Sequence, residues 1–169
     1  MNAYVVTLSK VFPTTHKRKG EPTNFAEQLL NAIWKAHNMK TRFQDLGIKL
    51  HTIRGNYELW EKRFKKIDEG KAFLSIRCWT GKPYHSKQVE ICKLKKSDGI
   101  SIQRLEFQRE RGIWFTQYIT ERPIVRNTIV PIKCLAENDG LTVDDWREWF
   151  KSNDLSKPLA IIQFTKFRY

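Results

Sequence analysis

The sequence predicts an α+β fold, a small and mostly antiparallel β-barrel with flanking helices, in a single domain over residues 1–169. Three observations lead to this prediction. Several short runs alternate apolar and polar residues with the period of two that is typical of strands. Three other segments repeat apolar residues at helical spacing. Turn-rich stretches separate these runs, and many short strands with a few helices favour a small barrel.

The first seventy residues predict one strand and two helices. Residues 3–8 form a β-rich run, and a basic, turn-rich stretch follows over residues 13–22. Asn24 with Glu27 three residues later is a helix-start pattern, and the apolar stripe after it continues to about Met39. Asn56 begins a second predicted helix, which Gly70 ends.

From Lys71 onwards the pattern favours strands. The first runs to about residue 79, and others are expected over residues 88–95, 100–108, 114–119, 128–135 and 159–165. Residues 96–99 suit a hairpin connection, and Thr142 with Asp145 caps a third helix. We expect the first strand to lie beside residues 159–167 and close the barrel. Residues 1–40 are expected to form an N-terminal extension packed on the domain.

The composition points to a polyanionic partner. The net charge is +13 and the isoelectric point is about 9.8, although residues 136–154 are acidic. A field of this sign attracts RNA or nucleotides. Three cysteines without C-x-x-C spacing favour reduced thiols, and neither a signal peptide nor a membrane-length apolar run is found. We therefore expect a cytoplasmic protein with no membrane partner, and the oligomeric state stays open.

Residues 47–54 bring unlike functional groups together. In a regular strand, residues three apart point to opposite faces, so Lys49 and Thr52 share a pocket only if the chain bends between them. Gly47 makes such a bend easier, and Arg54 shares a face with Thr52. A threonine hydroxyl becomes a nucleophile when a base takes its proton. Lys49 can act as that base if burial or Arg54 lowers its pKa. Alternatively, these residues are a solvated lysine, a strand residue and a surface arginine.

This segment, read as G-x-K-x-x-T-x-R, resembles the motif of the ASCH domain family, small β-barrel domains of the PUA-like group. Some bacterial members are amidohydrolases that remove the acetyl group of N(4)-acetylcytidine. The resemblance implies Thr52 as nucleophile and Lys49 as base. Residues 136–145 are similar to the family's second segment, where Asp139 stands in place of a glutamate and Glu137 is a nearby substitute. In outline the resemblance covers residues 47–165, with extra segments around residues 82–87 and 103–114.

A second candidate site lies in the turn after residue 79. Trp79 and Tyr84 can stack on nucleobases while Lys82 binds phosphate, which makes this turn a candidate nucleic-acid platform. Alternatively, the two aromatic residues pack on the core at a strand end. Further basic and aromatic residues are candidates for the lining of a groove: Arg104, Arg109, Arg111, Trp114 and Arg122. No histidine spacing suggests a metal site and no glycine-rich nucleotide motif is present, so no cofactor is expected.

Two functions remain open from the sequence. The first is an RNA- or nucleotide-binding domain that uses Lys49, Thr52 and Arg54 as ligands for phosphate or base edges. The alternative is a metal-free amidohydrolase acting on N(4)-acetylcytidine or a related modified nucleobase, with Asp139 relaying the proton. A nuclease is a third and weaker hypothesis. The two leading functions would use the same pocket, so the sequence does not choose between them.

Overall fold

The computed structural model describes residues 1–110, 113–120 and 128–169, and the side chains of residues 1–107 and 128–169. Within these ranges the chain forms eight strands: β1 (Asn2–Leu8), β2 (His51–Arg54), β3 (Ala72–Trp79), β4 (Gln88–Leu94), β5 (Ser101–Glu110), β6 (Ile113–Thr120), β7 (Thr128–Ile129) and β8 (Leu159–Gln163). It also forms four α-helices: α1 (Phe25–Ala36), α2 (Tyr57–Asp68), α3 (Ile132–Asn138) and α4 (Val143–Phe150).

The strands form two separate sheets. The smaller has three strands in the order β1-β3-β4, and the larger has five in the order β2-β8-β5-β6-β7. β1 pairs with β3 in parallel, from Asn2 opposite Ala72 to Leu8 opposite Cys78. The other paired strands of the described residues run antiparallel. The fold is therefore α+β, but the predicted closed barrel is wrong, because neither sheet closes on itself within the described residues.

The expected pairing between the first strand and residues 159–167 is also wrong. A strand has two hydrogen-bonding edges, and β8 uses both. Ile162 lies opposite Thr52 of β2 on one side and opposite Ile102 of β5 on the other. Every residue of β8 is buried, as expected for a central strand. With no free edge on β8, the N-terminal strand pairs with β3.

The capping patterns in the sequence correctly predicted where three of the helices begin. The Asn56 side chain accepts a hydrogen bond from Leu59 N at the start of α2, and the Thr142 hydroxyl accepts one from Asp145 N at the start of α4. Asn24 precedes α1 as expected, although its side chain makes no capping hydrogen bond. The predicted strand over residues 128–135 is mostly wrong, since only β7 is extended and α3 follows. Pro131 lacks the N–H that a strand ladder needs, and its fixed φ suits the position just before a helix.

Hydrogen bonds fix the loop between α1 and β2, and this places residues 48–50 against the core. The Asn31 side chain of α1 donates to Phe43 O at 2.8 Å and accepts from Phe43 N at 3.3 Å. Further along, Lys49 N donates to Gln28 O at 3.1 Å, and Leu50 N donates to Asn138 O at 2.8 Å. The chain before β2 is therefore fixed between α1 and the end of α3, which determines where the Lys49 side chain points.

Gly140 allows the chain to turn sharply at the end of α3. Its φ is +79°, and a Cβ built there would lie 2.3 Å from Gln28 Oε1 and 3.4 Å from Lys49 Cβ. Gln28 cannot move freely, because it is buried and its Nε2 donates to Thr23 O at 3.2 Å. A side chain at residue 140 would thus disturb both the turn and the neighbourhood of Lys49.

We expect Gly140→Ala to lower the free energy of unfolding by about 2 kcal/mol or more, from left-handed backbone strain and overpacking. Gly20→Ala is the matched control, because Gly20 has a φ of +82° and open space around it. Urea denaturation of both variants measures the difference. Equal destabilisation of the two variants would show that the contact with Gln28 has no energetic weight.

Candidate functional site

A small cavity of about 90 Å³ lies where the end of β1, the start of α1, residues 49–54, residues 139–141 and the end of α4 meet. It is lined by Lys49, Thr52, Arg54 and Asp139, among others. Regular strand geometry begins only at His51, so Lys49 lies in irregular backbone before β2. This is the bend that the spacing of Lys49 and Thr52 requires, and both residues line the same cavity.

A buried ion pair joins Lys49 to Asp139. Lys49 Nζ donates to Asp139 Oδ1 at 2.5 Å and also to the main-chain oxygen of Asp139. The same nitrogen lies 4.0 Å from the ring centroid of Phe25. Burial lowers the pKa of Lys49 and raises the pKa of Asp139, while the attraction between the two groups opposes both shifts. The pair is thus held together in an environment that penalises either charge alone.

The shorter side chain of Asp139 still reaches the lysine. The last turn of α3 brings the main chain of residue 139 into direct contact with Lys49 Nζ, so no additional methylene is required. Glu137, the substitute considered from sequence, is exposed and lies 3.9 Å from Lys133 one helical turn earlier. Of these two carboxylates, Asp139 is the one that lines the cavity.

Arg54 carries an unsatisfied donor beside this pair. Its Nη2 donates to Thr7 O at 2.6 Å, but its buried Nε has no hydrogen-bond partner in the described part of the chain. Burial lowers the pKa of Arg54, and Asp139 and Tyr84 oppose this effect. With both cations and Asp139 charged, the three groups sum to +1. A buried N–H without a partner is costly, so this site favours an added acceptor.

Thr52 lines the same cavity. Thr52 is 6% exposed, and its side chain makes no hydrogen bond to any residue that the structure describes. Its backbone is fixed by pairing with Ile162 of β8. Threonine therefore offers a hydroxyl that is free to donate to a ligand or to be deprotonated.

His51 forms a second polar contact beneath the cavity. The ring is completely buried, and its Nε2 lies 2.7 Å from the Tyr169 hydroxyl. That hydroxyl accepts a hydrogen bond from Asn138 Nδ2 at 3.0 Å, and it can donate its own proton to His51 Nε2 or to Cys134 O at 3.4 Å. His51 Nδ1 has no hydrogen-bond partner among the described residues and lies 4.0 Å from Asp139 Oδ1. No sequence pattern gave His51 a role, so this contact beside the site was not predicted.

Part of the cavity comes from regions outside the motifs. Thr7 and Ser9 at the end of β1, Phe25 at the start of α1, and Trp149 of α4 all line it. No motif marks these residues, and three of them belong to the first 40 residues, where the family resemblance does not extend. The only sequence signal was their position at the ends of predicted elements, which by itself does not indicate a site.

The second candidate site lies outside the cavity walls. Trp79 and Tyr84 have ring centroids 5.4 Å apart, and Lys82 is exposed in the same turn. The Arg104 guanidinium is paired with a carboxylate, since its Nη2 lies 2.5 Å from Glu106 Oε1. The other residues proposed for the groove have side chains outside the described residues: Arg109, Arg111, Trp114 and Arg122.

Two other features are absent from the described residues. None of their helices is both long enough and apolar enough to cross a membrane. They also contain no group of three or more histidine, cysteine, aspartate or glutamate side chains arranged to hold a metal ion.

The burial of His51 predicts acid sensitivity. Burial, with a smaller contribution from Lys49, lowers the pKa of His51 well below its ordinary value of 6.5. Below pH 6.5 the unfolded chain binds a proton that the folded chain does not, so stability falls as pH falls. The slope from this residue approaches about 1.4 kcal/mol per pH unit. We expect His51→Gln to remove that part of the slope in urea denaturation between pH 7 and pH 5. The exposed His37→Gln should keep the native slope, and an unchanged slope in His51→Gln would contradict the assignment.

Comparison of this chain with protein-family models, with curated proteins and with solved structures finds no match. The ASCH resemblance therefore stays a prediction from the motif.

Proposed function

We propose that the cavity binds an acceptor group, a phosphate or a base carbonyl, of a nucleotide or of RNA. The observation that carries this proposal is the buried Arg54 Nε without a hydrogen-bond partner in the described residues. Two further residues with donor groups line the same cavity. Thr52 has a hydroxyl, and Lys49 has an ammonium, two of whose three N–H groups are used by Asp139. A cavity rich in donors and carrying a net positive charge favours an acceptor with negative charge.

The size of the cavity limits what enters it. A volume of about 90 Å³ holds one small polar group or a few water molecules and is too small for a whole nucleotide. The rest of the ligand would lie on the surface outside, where the net charge of +13 favours a polyanion. This arrangement fits a nucleotide or an RNA strand that inserts one group and leaves its other contacts at the surface.

We expect Arg54→Lys to weaken binding of cytidine 5′-monophosphate and of a ten-nucleotide single-stranded RNA by about ten-fold or more, because a charge-assisted hydrogen bond is lost. The substitution keeps a positive charge while removing the Nε donor. Lys62→Gln, which removes an exposed charge of α2 outside the cavity, is the control and should have a smaller effect. Calorimetric titration at low and at physiological salt measures both, and binding should weaken steeply with salt.

The outcome is interpretable even if one variant unfolds. Melting temperatures identify loss of folding, and Thr52→Val provides a second test because it removes a hydroxyl at constant shape. Native affinity in folded Arg54→Lys and Thr52→Val would exclude the cavity as the binding site. A flat salt response of the native protein would exclude a phosphate ligand.

One observation favours a second candidate function, the metal-free amidohydrolase. The unbonded Thr52 hydroxyl and the Lys49–Asp139 pair line the same cavity. Burial disfavours both charges of the pair, so a proton can pass from Lys49 to Asp139 and leave an amine to accept the hydroxyl proton. Thr52 would then attack the amide carbonyl as Lys49 takes its proton, Arg54 would polarise the carbonyl oxygen, and Lys49 would pass the proton to the leaving amine. A water molecule, deprotonated by Lys49, would next attack the threonine ester, which releases acetate and restores the Thr52 hydroxyl.

If this second function is right, the native chain hydrolyses N(4)-acetylcytidine in an absorbance assay and a chelator leaves turnover unchanged. Thr52→Ala and Lys49→Met should each reduce the rate by at least about a hundred-fold, because nucleophile and base act together. Lys62→Gln should retain the native rate. Absence of turnover by the folded native chain would reject hydrolysis of this substrate and leave the binding proposal intact.

A cytoplasmic location is also part of the proposal. Its support is the state of the cysteines, since Cys78, Cys92 and Cys134 are all free thiols. Burial raises the pKa of the Cys92 thiol to about 12, which keeps it protonated and unreactive. Unpaired cysteines of this kind are typical of a reducing compartment.

A further inference from the structure

The connection between β3 and β4 is a structured hairpin. Thr80 N donates to Lys87 O at 2.8 Å, and the Ser86 hydroxyl lies between two backbone groups of the turn. It accepts from Gly81 N at 3.0 Å and donates to Lys82 O at 2.9 Å. These contacts give residues 80–87 a defined shape that can present side chains to a ligand.

Two aromatic rings meet on this hairpin, and one of them is almost fully exposed. Trp79 and Tyr84 have ring centroids 5.4 Å apart, and Tyr84 is 88% exposed. Tyr84 also has a φ of +64°, a conformation that suits glycine and is strained for a bulky residue. Stability alone does not account for a strained and solvated tyrosine at this position, because glycine would relieve the strain without loss of a buried contact.

The hairpin lies beside the cavity because of the parallel pairing of β1 and β3. Leu8 is opposite Cys78, so β1 and β3 terminate at the same end of the small sheet. Beyond that end, Ser9 lines the cavity and Trp79 leads into the hairpin. Gln88 Nε2 reaches back to the Thr7 hydroxyl at 3.3 Å, and Thr7 lines the cavity. Tyr84 is also close enough to Arg54 to affect its pKa.

The charges around the rings have one sign. The hairpin sequence from Thr80 to Lys87 contains Lys82 and Lys87 and no acidic residue, and both lysines are exposed. Lys10, which follows the end of β1, is also exposed. Aromatic faces with lysines beside them match a nucleobase attached to a phosphate backbone.

We propose that Trp79 and Tyr84 form a stacking platform for a nucleobase of a single-stranded RNA whose phosphate or base carbonyl enters the neighbouring cavity. This inference rests on the proposed binding function and adds the contact that holds the base. The lysines of the hairpin bind the phosphates on either side without reading sequence. The platform is tolerant of sequence, because each base has an aromatic face.

The test compares Tyr84→Leu with Tyr84→Phe on two probes, a ten-nucleotide uridine RNA and an abasic oligomer of the same length. Tyr84→Leu keeps an apolar side chain and removes the aromatic face. It should weaken binding of the uridine RNA about five- to a hundred-fold and leave binding of the abasic oligomer unchanged. Tyr84→Phe should bind both probes as the native chain does. Lys82→Gln, in the same hairpin, should weaken both probes equally and reduce the dependence on salt.

The outcomes separate the platform from the cavity. If Tyr84→Leu keeps native affinity for the uridine RNA while Arg54→Lys loses it, the platform is wrong and the cavity proposal stands. If Tyr84→Leu weakens the abasic oligomer as much as the uridine RNA, the hairpin acts on the backbone alone and the stacking inference is wrong. If the native chain binds neither probe nor cytidine 5′-monophosphate, both proposals fall.

Discussion

The buried pair of Lys49 and Asp139 is the interaction on which the site depends. Removing one partner from such a pair typically costs about 3–5 kcal/mol, because an uncompensated charge stays in the interior. The pair also joins distant parts of the chain, since Lys49 precedes β2 and Asp139 follows α3. Backbone hydrogen bonds from Lys49 N to Gln28 O and from Leu50 N to Asn138 O tie α1 and α3 to the same point. Helices and sheet are thus positioned around one contact.

The surroundings of this pair explain how one cavity can suit either binding or catalysis. Asp139 has Lys49 at hydrogen-bond distance and His51 Nδ1 at 4.0 Å. With Lys49 engaged, the lysine is an anchored cation suited to an anionic ligand. If the lysine proton passes to Asp139, Lys49 becomes an amine suited to take the Thr52 proton. Both proposed functions thus use the same cavity residues.

Sequence reasoning grouped residues that line one cavity, but it did not predict how the strands pair. Lys49, Thr52 and Arg54 are close in sequence, and Asp139 directly precedes a turn that Gly140 marks, so local signals pointed to all four of these cavity residues. The barrel failed because strand pairing is decided by which edges remain free, and the sequence of β1 does not reveal that β8 already has two neighbours. The sequence also did not identify Thr7 and Trp149 as cavity residues. They reach the cavity through tertiary packing and not through a pattern in their own segment.

The parallel pairing of β1 with β3 has a consequence for folding. About seventy residues separate Asn2 from its partner Ala72, and the sequence separation between the paired strands β2 and β8 is larger still. Pairings over such distances close late, because a long loop loses entropy before the contacts form. During synthesis the first strand emerges with an unpaired edge, and the cavity cannot form until β8 has entered between β2 and β5. An incomplete chain would expose apolar strand edges, which is the condition under which chains associate with one another.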